Sequence, residues 1–298
     1  MGGSTTQPDE LYLWKYEGER RLPEKVSNFN DVITHLPLSK LLLVKFKSFD
    51  GKEIEGGLML PPSSVGNTNT NAKANLPTVL LIHGGPTGRW EDGYNNWAQA
   101  LASAGYAVFM PNIRGSSGYG FEFINVNRAD WGGGDFKDVM AAADYLVAQG
   151  IADPKRLGIA GWSYGGYMSA WAVTQTDRFR AAVSGAGMFD LATEFGTEDH
   201  PSYDEWFWGL PWEKPEGFRK SSPQSYVKNA KTPTLILQGE ADTVDPLGQS
   251  TALYRALKRY GVDTELVIYP REPHGLQEEK HLTDRPRRLV EWFDRHMK

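Results

Sequence analysis

GWSYGGYM, residues 161–168, is the stretch on which the fold of this chain turns. Ser163 stands between Gly161 and Gly165, with Gly166 next to it. The pattern G-x-S-x-G presents a nucleophile only when a strand runs into it and a helix leaves it. Both are present: Leu157–Ala160 (LGIA) is a short apolar strand, and Met168–Thr174 reads as helix. Small residues two positions either side of the serine let strand and helix approach closely. The helix N-terminus then aims free N–H groups at the place where an oxyanion forms. A plain turn with a capping serine is the simpler alternative, and the strand, the helix and the third glycine weigh against it.

Outward from this turn the grammar is repetitive. Thr78–Ile82 (TVLLI) is a continuous apolar run, as expected of a strand buried on both faces. Helix is predicted over 97–104, strand over 107–110 and helix over 136–148, where apolar residues recur at helical spacing. Strands follow at 181–183 and 234–237, a helix at 250–260, a strand at 264–269 and a terminal helix at 288–296. Strands alternating with helices over about 220 residues imply an α/β fold with a mainly parallel central sheet and helices on both faces. Ahead of it, residues 1–60 read as a β-rich extension, with strands at 11–16, 41–46 and 54–60. Residues 61–76, rich in Asn, Thr and Ser, read as an exposed loop, which leaves 77–298 as the α/β unit.

Composition narrows the function. At 298 residues, 40% hydrophobic and 23% charged, the chain can bury a large core. A net charge of −5 and the lack of a basic block argue against nucleic acid. No apolar run approaches the roughly 18 residues that span a bilayer, and the N-terminus lacks a signal peptide's hydrophobic stretch. Cysteine is absent, which excludes disulfides, thiolate metal sites and a cysteine nucleophile, and fits the cytoplasm. Neither a metal nor a cofactor is called for, and the oligomeric state is not legible.

A serine hydroxyl needs a base, and the base needs an orienting acid. In the α/β-hydrolase arrangement the order is Ser, then Asp or Glu, then His. Of six histidines, His35 and His83 precede Ser163, and His200 leaves little sheet in which to place an acid. His281 lies in a polar stretch read as surface, and His296 in the last turn of the terminal helix, read as a solvated end. His274 sits on a Pro/Gly loop just past the strand TELVIY, where the fold needs its base. The acid belongs after the strand TLIL, where Glu240, Asp242 and Asp245 are all available and position favours Asp242 only slightly. A calcium loop is the rival for three acids this close, but the loop lacks the length and glycine of an EF-hand. The oxyanion donors expected are the N–H of Tyr164 and one from His83-Gly84-Gly85-Pro86, after the strand TVLLI.

These residues resemble the prolyl oligopeptidase family of serine peptidases, nearest its acylaminoacyl-peptidase and dipeptidyl-peptidase branches. The resemblance spans about 77–298 and rests on five motifs in order: HGGP at 83–86, NIRGSSGYG at 112–120, GWSYGGYM at 161–168, GEAD at 239–242 and PHG at 273–275. It implies Ser163 as nucleophile, Asp242 as acid and His274 as base, with Gly85 and Tyr164 as oxyanion donors. It implies a peptide or small acyl substrate, with a carboxylesterase as the first rival. A binding module on an inactive hydrolase fold would show a broken triad, and all three members are here. The pattern is departed from twice. The family usually has an apolar residue before the proline of the acid loop, where this chain has Asp245. Such peptidases also carry a β-propeller of several hundred residues ahead of the hydrolase, where only about 60 residues precede it here. Residues 8–31 look like the closing strands of such a propeller, so a size filter or exopeptidase clamp is expected to be missing.

The resemblance also places the substrate pocket near the aromatic insertion EWFWGLPWEKPEG, 205–217. Phe207, Trp208 and Trp212 are candidate walls, with Trp162 from the elbow; the plainer reading is that they pack a lid against the core. Arg114 is a candidate ligand for a substrate carbonyl or carboxylate, against a structural ion pair as the plainer reading.

Overall fold

The computed structural model describes residues 1–17, 20–62 and 75–298; most of the expected polar loop, 63–74, lies outside the described residues. Two small antiparallel ribbons open the chain, β1 (Gly2–Ser4) with β2 (Gln7–Glu10) and β3 (Tyr12–Glu17) with β4 (Arg20–Lys25), followed by a short helix α1 (Asp31–Thr34). The first ribbon is tied to the body of the molecule: Thr5 N–H donates to Asp92 (2.8 Å) and Gln99 Nε2 donates to the Thr5 carbonyl (2.8 Å).

The remaining strands form one eight-stranded sheet. They are β5 (Leu41–Lys47), β6 (Glu53–Met59), β7 (Leu76–Ile82), β8 (Ala107–Asn112), β9 (Ala152–Trp162), β10 (Ala181–Gly185), β11 (Thr234–Gly239) and β12 (Thr264–Tyr269). Their order across the sheet is β12-β11-β10-β9-β7-β8-β6-β5. Every pairing from β8 to β12 is parallel, and β6 joins β8 and β5 antiparallel. The helices are α2 (Asn96–Ser103), α3 (Phe121–Asn125), α4 (Gly134–Ala148), α5 (Tyr164–Gln175), α6 (Leu191–Phe195), α7 (Pro201–Trp208), α8 (Pro215–Ser221), α9 (Leu247–Arg259) and α10 (Glu279–Met297).

The central strands β7, β8, β10 and β11 are buried along nearly their whole length, which is why they read as unbroken apolar runs rather than alternating ones. Helices cover both faces and give two apolar clusters. One packs α4 and α5 around Leu80, Phe109, Ile159 and Trp131; the other packs α2 and α10 around Leu81, Val108, Leu237 and Phe293. Helix α10 begins nine residues before the predicted start. Its first half is charged and holds Pro286, so periodicity does not mark it; ion pairs Arg287–Glu291 and Arg287–Asp284 run along that half instead. His296 is accordingly not a solvated end: it is largely covered and packs on Trp292, ring centroids 4.5 Å apart. In an open parallel sheet ligands gather beyond the carboxyl ends of the strands, and the loops after β7, β9, β11 and β12 all leave that edge.

Candidate active site

The elbow shows why its glycines are needed. Ser163 has φ 61° and ψ −124°, a conformation that an L residue adopts only when its surroundings force it. Its N–H donates to the Gly185 carbonyl (2.9 Å) and its carbonyl accepts from Tyr167 N (2.9 Å). A Cβ on Gly165 would lie 2.2 Å from the Ile82 carbonyl oxygen, one on Gly166 2.1 Å from that of Gly185, and one on Gly161 2.5 Å from Gly165 Cα. All three contacts are with backbone, which cannot step aside, so strand and helix meet only because side chains are missing.

The loop after β7 reaches the same place. A Cβ on Gly84 would stand 3.5 Å from Ser163 Cβ, and Gly85 holds φ 125°. Neither the Gly85 nor the Tyr164 amide has an acceptor among the described residues, as suits donors facing a site. His83, set aside as a base because of its place in the chain, braces this loop. Its Nδ1 lies 2.7 Å from the Gly84 carbonyl and its Nε2 2.7 Å from Ser116 Oγ. Burial lowers its pKa to about 4, against the smaller opposing effect of the Gly84 carbonyl, so the ring is neutral.

Asp242 and His274 meet at the ends of β11 and β12. His274 Nδ1 and Asp242 Oδ2 are 2.9 Å apart. Asp242 is held at every lone pair. Oδ1 accepts from Val244 N and Asp245 N (3.0 Å each), and Oδ2 also accepts from Gln238 Nε2 (3.0 Å). Gln238 is a site residue that nothing in the sequence marks. It is fully buried, accepts from Ser250 Oγ (2.6 Å) and donates to the Asp245 carbonyl (3.0 Å), so it clamps both ends of the acid loop. The two loops are also joined by backbone, through Ala241 N to the Glu272 carbonyl (2.9 Å). Burial pulls the His274 pKa down, but the Asp242 hydrogen bond and the charges of Asp245 and Asp242 outweigh it and leave it raised. No hydrogen bond joins Ser163 Oγ to His274 in this structure. The hydroxyl instead comes close enough to Asp245 to favour its ionised form, without a well-directed bond.

Trp162 lies under the histidine loop: its Nε1 donates to the His274 carbonyl (2.8 Å), and Arg285 stacks on its other side at 4.9 Å. It positions the loop that carries the histidine. Phe207 and Trp208, each 2% exposed, pack edge-on against Trp131 at 5.1 and 5.6 Å and so join the lid to the core. Trp212 is 70% exposed and leans on Phe195. Arg114 is not available to a substrate. It binds Asp138 through Nε (2.9 Å) and Nη2 (2.7 Å) and Asp50 through Nη1 (3.1 Å), in the plainer of its two readings.

The sheet order and the strand–turn–helix at Ser163 define an α/β-hydrolase. The sequence model of the prolyl oligopeptidase family matches residues 93–298, and the chain belongs to that family. It is 40% identical over 305 residues to the uncharacterized peptidase YuxL of Bacillus subtilis, covering 99% of this chain and 45% of the relative. It is 31% identical over 280 residues to dipeptidyl aminopeptidase BIII of Pseudoxanthomonas mexicana, covering 89% of this chain and 40% of the relative. Among solved structures, the acylaminoacyl peptidase of Pyrococcus horikoshii superimposes with a TM-score of 0.88 at 31% identity, over 99% of this chain and 47% of that one. The chain thus spans about half the length of the relatives it matches. No helix among the described residues is long and apolar enough to cross a membrane.

Proposed function

We propose that this chain is a serine hydrolase that cleaves peptide or acylaminoacyl bonds through an acyl-enzyme. The observation that carries this is the junction of a strained, glycine-walled Ser163 with an Asp242–His274 pair in which the carboxylate is fully bonded. Ser163 Oγ attacks the substrate carbonyl as His274 Nε2 takes its proton. Asp242, on Nδ1, fixes the tautomer and stabilises the imidazolium. The Gly85 and Tyr164 amides receive the oxyanion. His274 then returns the proton to the leaving group, and water repeats the cycle on the acyl-enzyme. The Ser163–His274 bond forms on substrate binding, as catalytic bonds commonly tighten only in the complex.

Names of the relatives, acylaminoacyl and dipeptidyl peptidases among them, support an amide substrate. The ribbons β1–β4 suit the closing strands of a propeller, as the family resemblance implies, and the absence of cysteine suits the cytoplasm. The test is kcat/KM on one acyl group carried both as a p-nitroanilide and as a p-nitrophenyl ester, with Ser163→Ala as blank. Anilide turnover abolished in Ser163→Ala is expected. Ester turnover alone would make the protein a carboxylesterase, and turnover that survives Ser163→Ala would remove the nucleophile.

A further inference from the structure

Three residues downstream of Asp242 the acid loop carries a second carboxylate with the opposite surroundings. Asp245 is 3% exposed and its Oδ2 has no hydrogen-bond partner. It does not stand alone. Across from it, Glu194 on α6, Glu198 in the following turn and Asp204 on α7 bring carboxylate oxygens within 4.8 Å of one another. Glu194 and Asp204 are only 2% and 4% exposed, and Glu194 Oε2, Glu198 Oε1 and Asp204 Oδ2 are likewise unpartnered. Four carboxylates from two separate parts of the chain thus face one another, Glu194 and Asp204 pairing only through a shared proton, and none of these four oxygens receives a bond from a basic group.

Hydrogen bonds around the cluster hold its two parts in place. Asp199 N donates to the Thr243 carbonyl (2.9 Å), tying the α6–α7 turn to the acid loop. Tyr203 and Thr87 hydroxyls meet at 3.0 Å, tying α7 to the loop of Gly85. Gln249 Oε1 accepts from Phe189 N (2.8 Å) and Asp190 N (2.9 Å), fixing the entry to α6. The cluster therefore lies between the two loops that flank Ser163. The groups that act on its members are one another, Asp199, Asp242, His274, the Ser163 hydroxyl and the His200 backbone amide, and of these only His274 can be cationic. A fold would not gain by leaving such oxygens dry and unpaired. They fit a cation that arrives from outside.

We propose that this recess is the subsite for the side chain of the residue whose carbonyl Ser163 attacks, and that it takes lysine or arginine. The order of the carboxylates decides between the cations a peptide can offer. Asp245 is the member that feels the Ser163 hydroxyl, and Glu194, Glu198 and Asp204 form a separate close group that its charge also reaches. The α-ammonium of that residue sits next to the attacked carbonyl and reaches Asp245 at most. A basic side chain carries its charge on a stem of several methylenes past Asp245 to the others, and a guanidinium brings five N–H donors to the orphaned oxygens. The empty recess holds protons: desolvation raises all four groups, Asp245 to about 7 and Glu198 to about 8. Ionisation above those values strengthens the hold on a cation, so the preference grows from pH 6 to pH 9.

This deepens the serine-hydrolase reading and rests on it, so the probe must report the two separately. Peptidyl diphenyl phosphonates carrying lysine or norleucine label a reactive serine without requiring amide turnover. At pH 8 the lysine probe is expected to label Ser163 at least about 100-fold faster than the norleucine probe, as befits a site built around buried hydrogen-bonding groups. Asp204→Asn, Glu194→Gln and Asp245→Asn should each narrow that ratio at least about tenfold. Equal rates, or a faster norleucine probe, overturn the subsite and leave the nucleophile standing. Absence of labelling by either probe overturns both. A rise in Tm with Ca2+ or Mn2+ that Glu194→Gln removes, without a lysine preference, would assign the carboxylates to a metal and overturn the proposal as well. Because the ratio is read first in the unaltered protein, a variant that fails to fold does not blunt the test.

Discussion

Asp242 and Asp245 sit three residues apart in one loop, both almost fully buried, and their surroundings could hardly differ more. Asp242 accepts from two backbone amides, from Gln238 and from His274. Asp245 Oδ2 accepts from nothing, and its nearest charges are acidic apart from His274. A carboxylate whose lone pairs are all used is part of the machine. One whose Oδ2 has no partner, close to three more carboxylates, is still able to bond a ligand. Burial alone does not tell the two apart; the hydrogen-bond inventory does.

The largest expected effect breaks the first half of that contrast. Asp242→Asn should lower kcat by about 10⁴-fold, because the amide favours the wrong histidine tautomer. Asp245→Asn, measured on the same uncharged substrate, should lose far less. Equal losses would erase the distinction between the two positions. Next comes stability. Arg114→Ala should destabilise the fold by about 3–5 kcal/mol, since it leaves the buried Asp138 carboxylate without its cation. Asp245 carries a comparable penalty only once it ionises, and denaturant unfolding of the parent and this variant measures the loss.

Asp245→Asn is expected to move stability the other way. The folded pKa of Asp245, about 7, is raised above the ordinary carboxylate value of 3.8. The stability it allows is therefore fully present below about pH 4 and lost as pH rises through 7. Asp245→Asn should gain on the order of 2–4 kcal/mol at pH 8 and less at pH 5, read from Tm and urea midpoints. A variant no more stable at pH 8 than the parent would mean that Asp245 is not held at a desolvation penalty. The smallest effect is on the pH profile. The Asp245 charge helps raise the His274 pKa, so in Asp245→Asn the acid limb of kcat/KM should move to lower pH. A limb that stays in place would separate Asp245 electrostatically from the base.

Much of this was legible before the structure, because the signals are local. Buried strands show as apolar runs, the elbow as glycines around Ser163, and the histidine loop as Pro273-His274-Gly275. What was not legible depends on neighbours distant in sequence. Gln238 is one polar residue at the end of an apolar strand, and nothing nearby in the chain says that it clamps Asp242. Glu194, Glu198 and Asp204 lie in TEFGTEDHPSYDEW, whose polarity reads as surface until α6 and α7 turn those side chains inward. Phe207 and Trp208 have the chemistry of pocket walls, but Trp131, some 75 residues earlier, takes both for the core. Position within the loop favours Asp242 over Glu240 and Asp245 only slightly; the family resemblance singles it out, and the hydrogen bonds place it against His274.

The most direct test is the rate at which a fluorophosphonate labels the protein, with the adduct mapped by mass spectrometry. Labelling at Ser163 alone, slowed by orders of magnitude in His274→Ala and Asp242→Asn and far less in Asp245→Asn, is the expected result. Labelling at another residue, or a rate indifferent to His274 and Asp242, would contradict the assignment of this site.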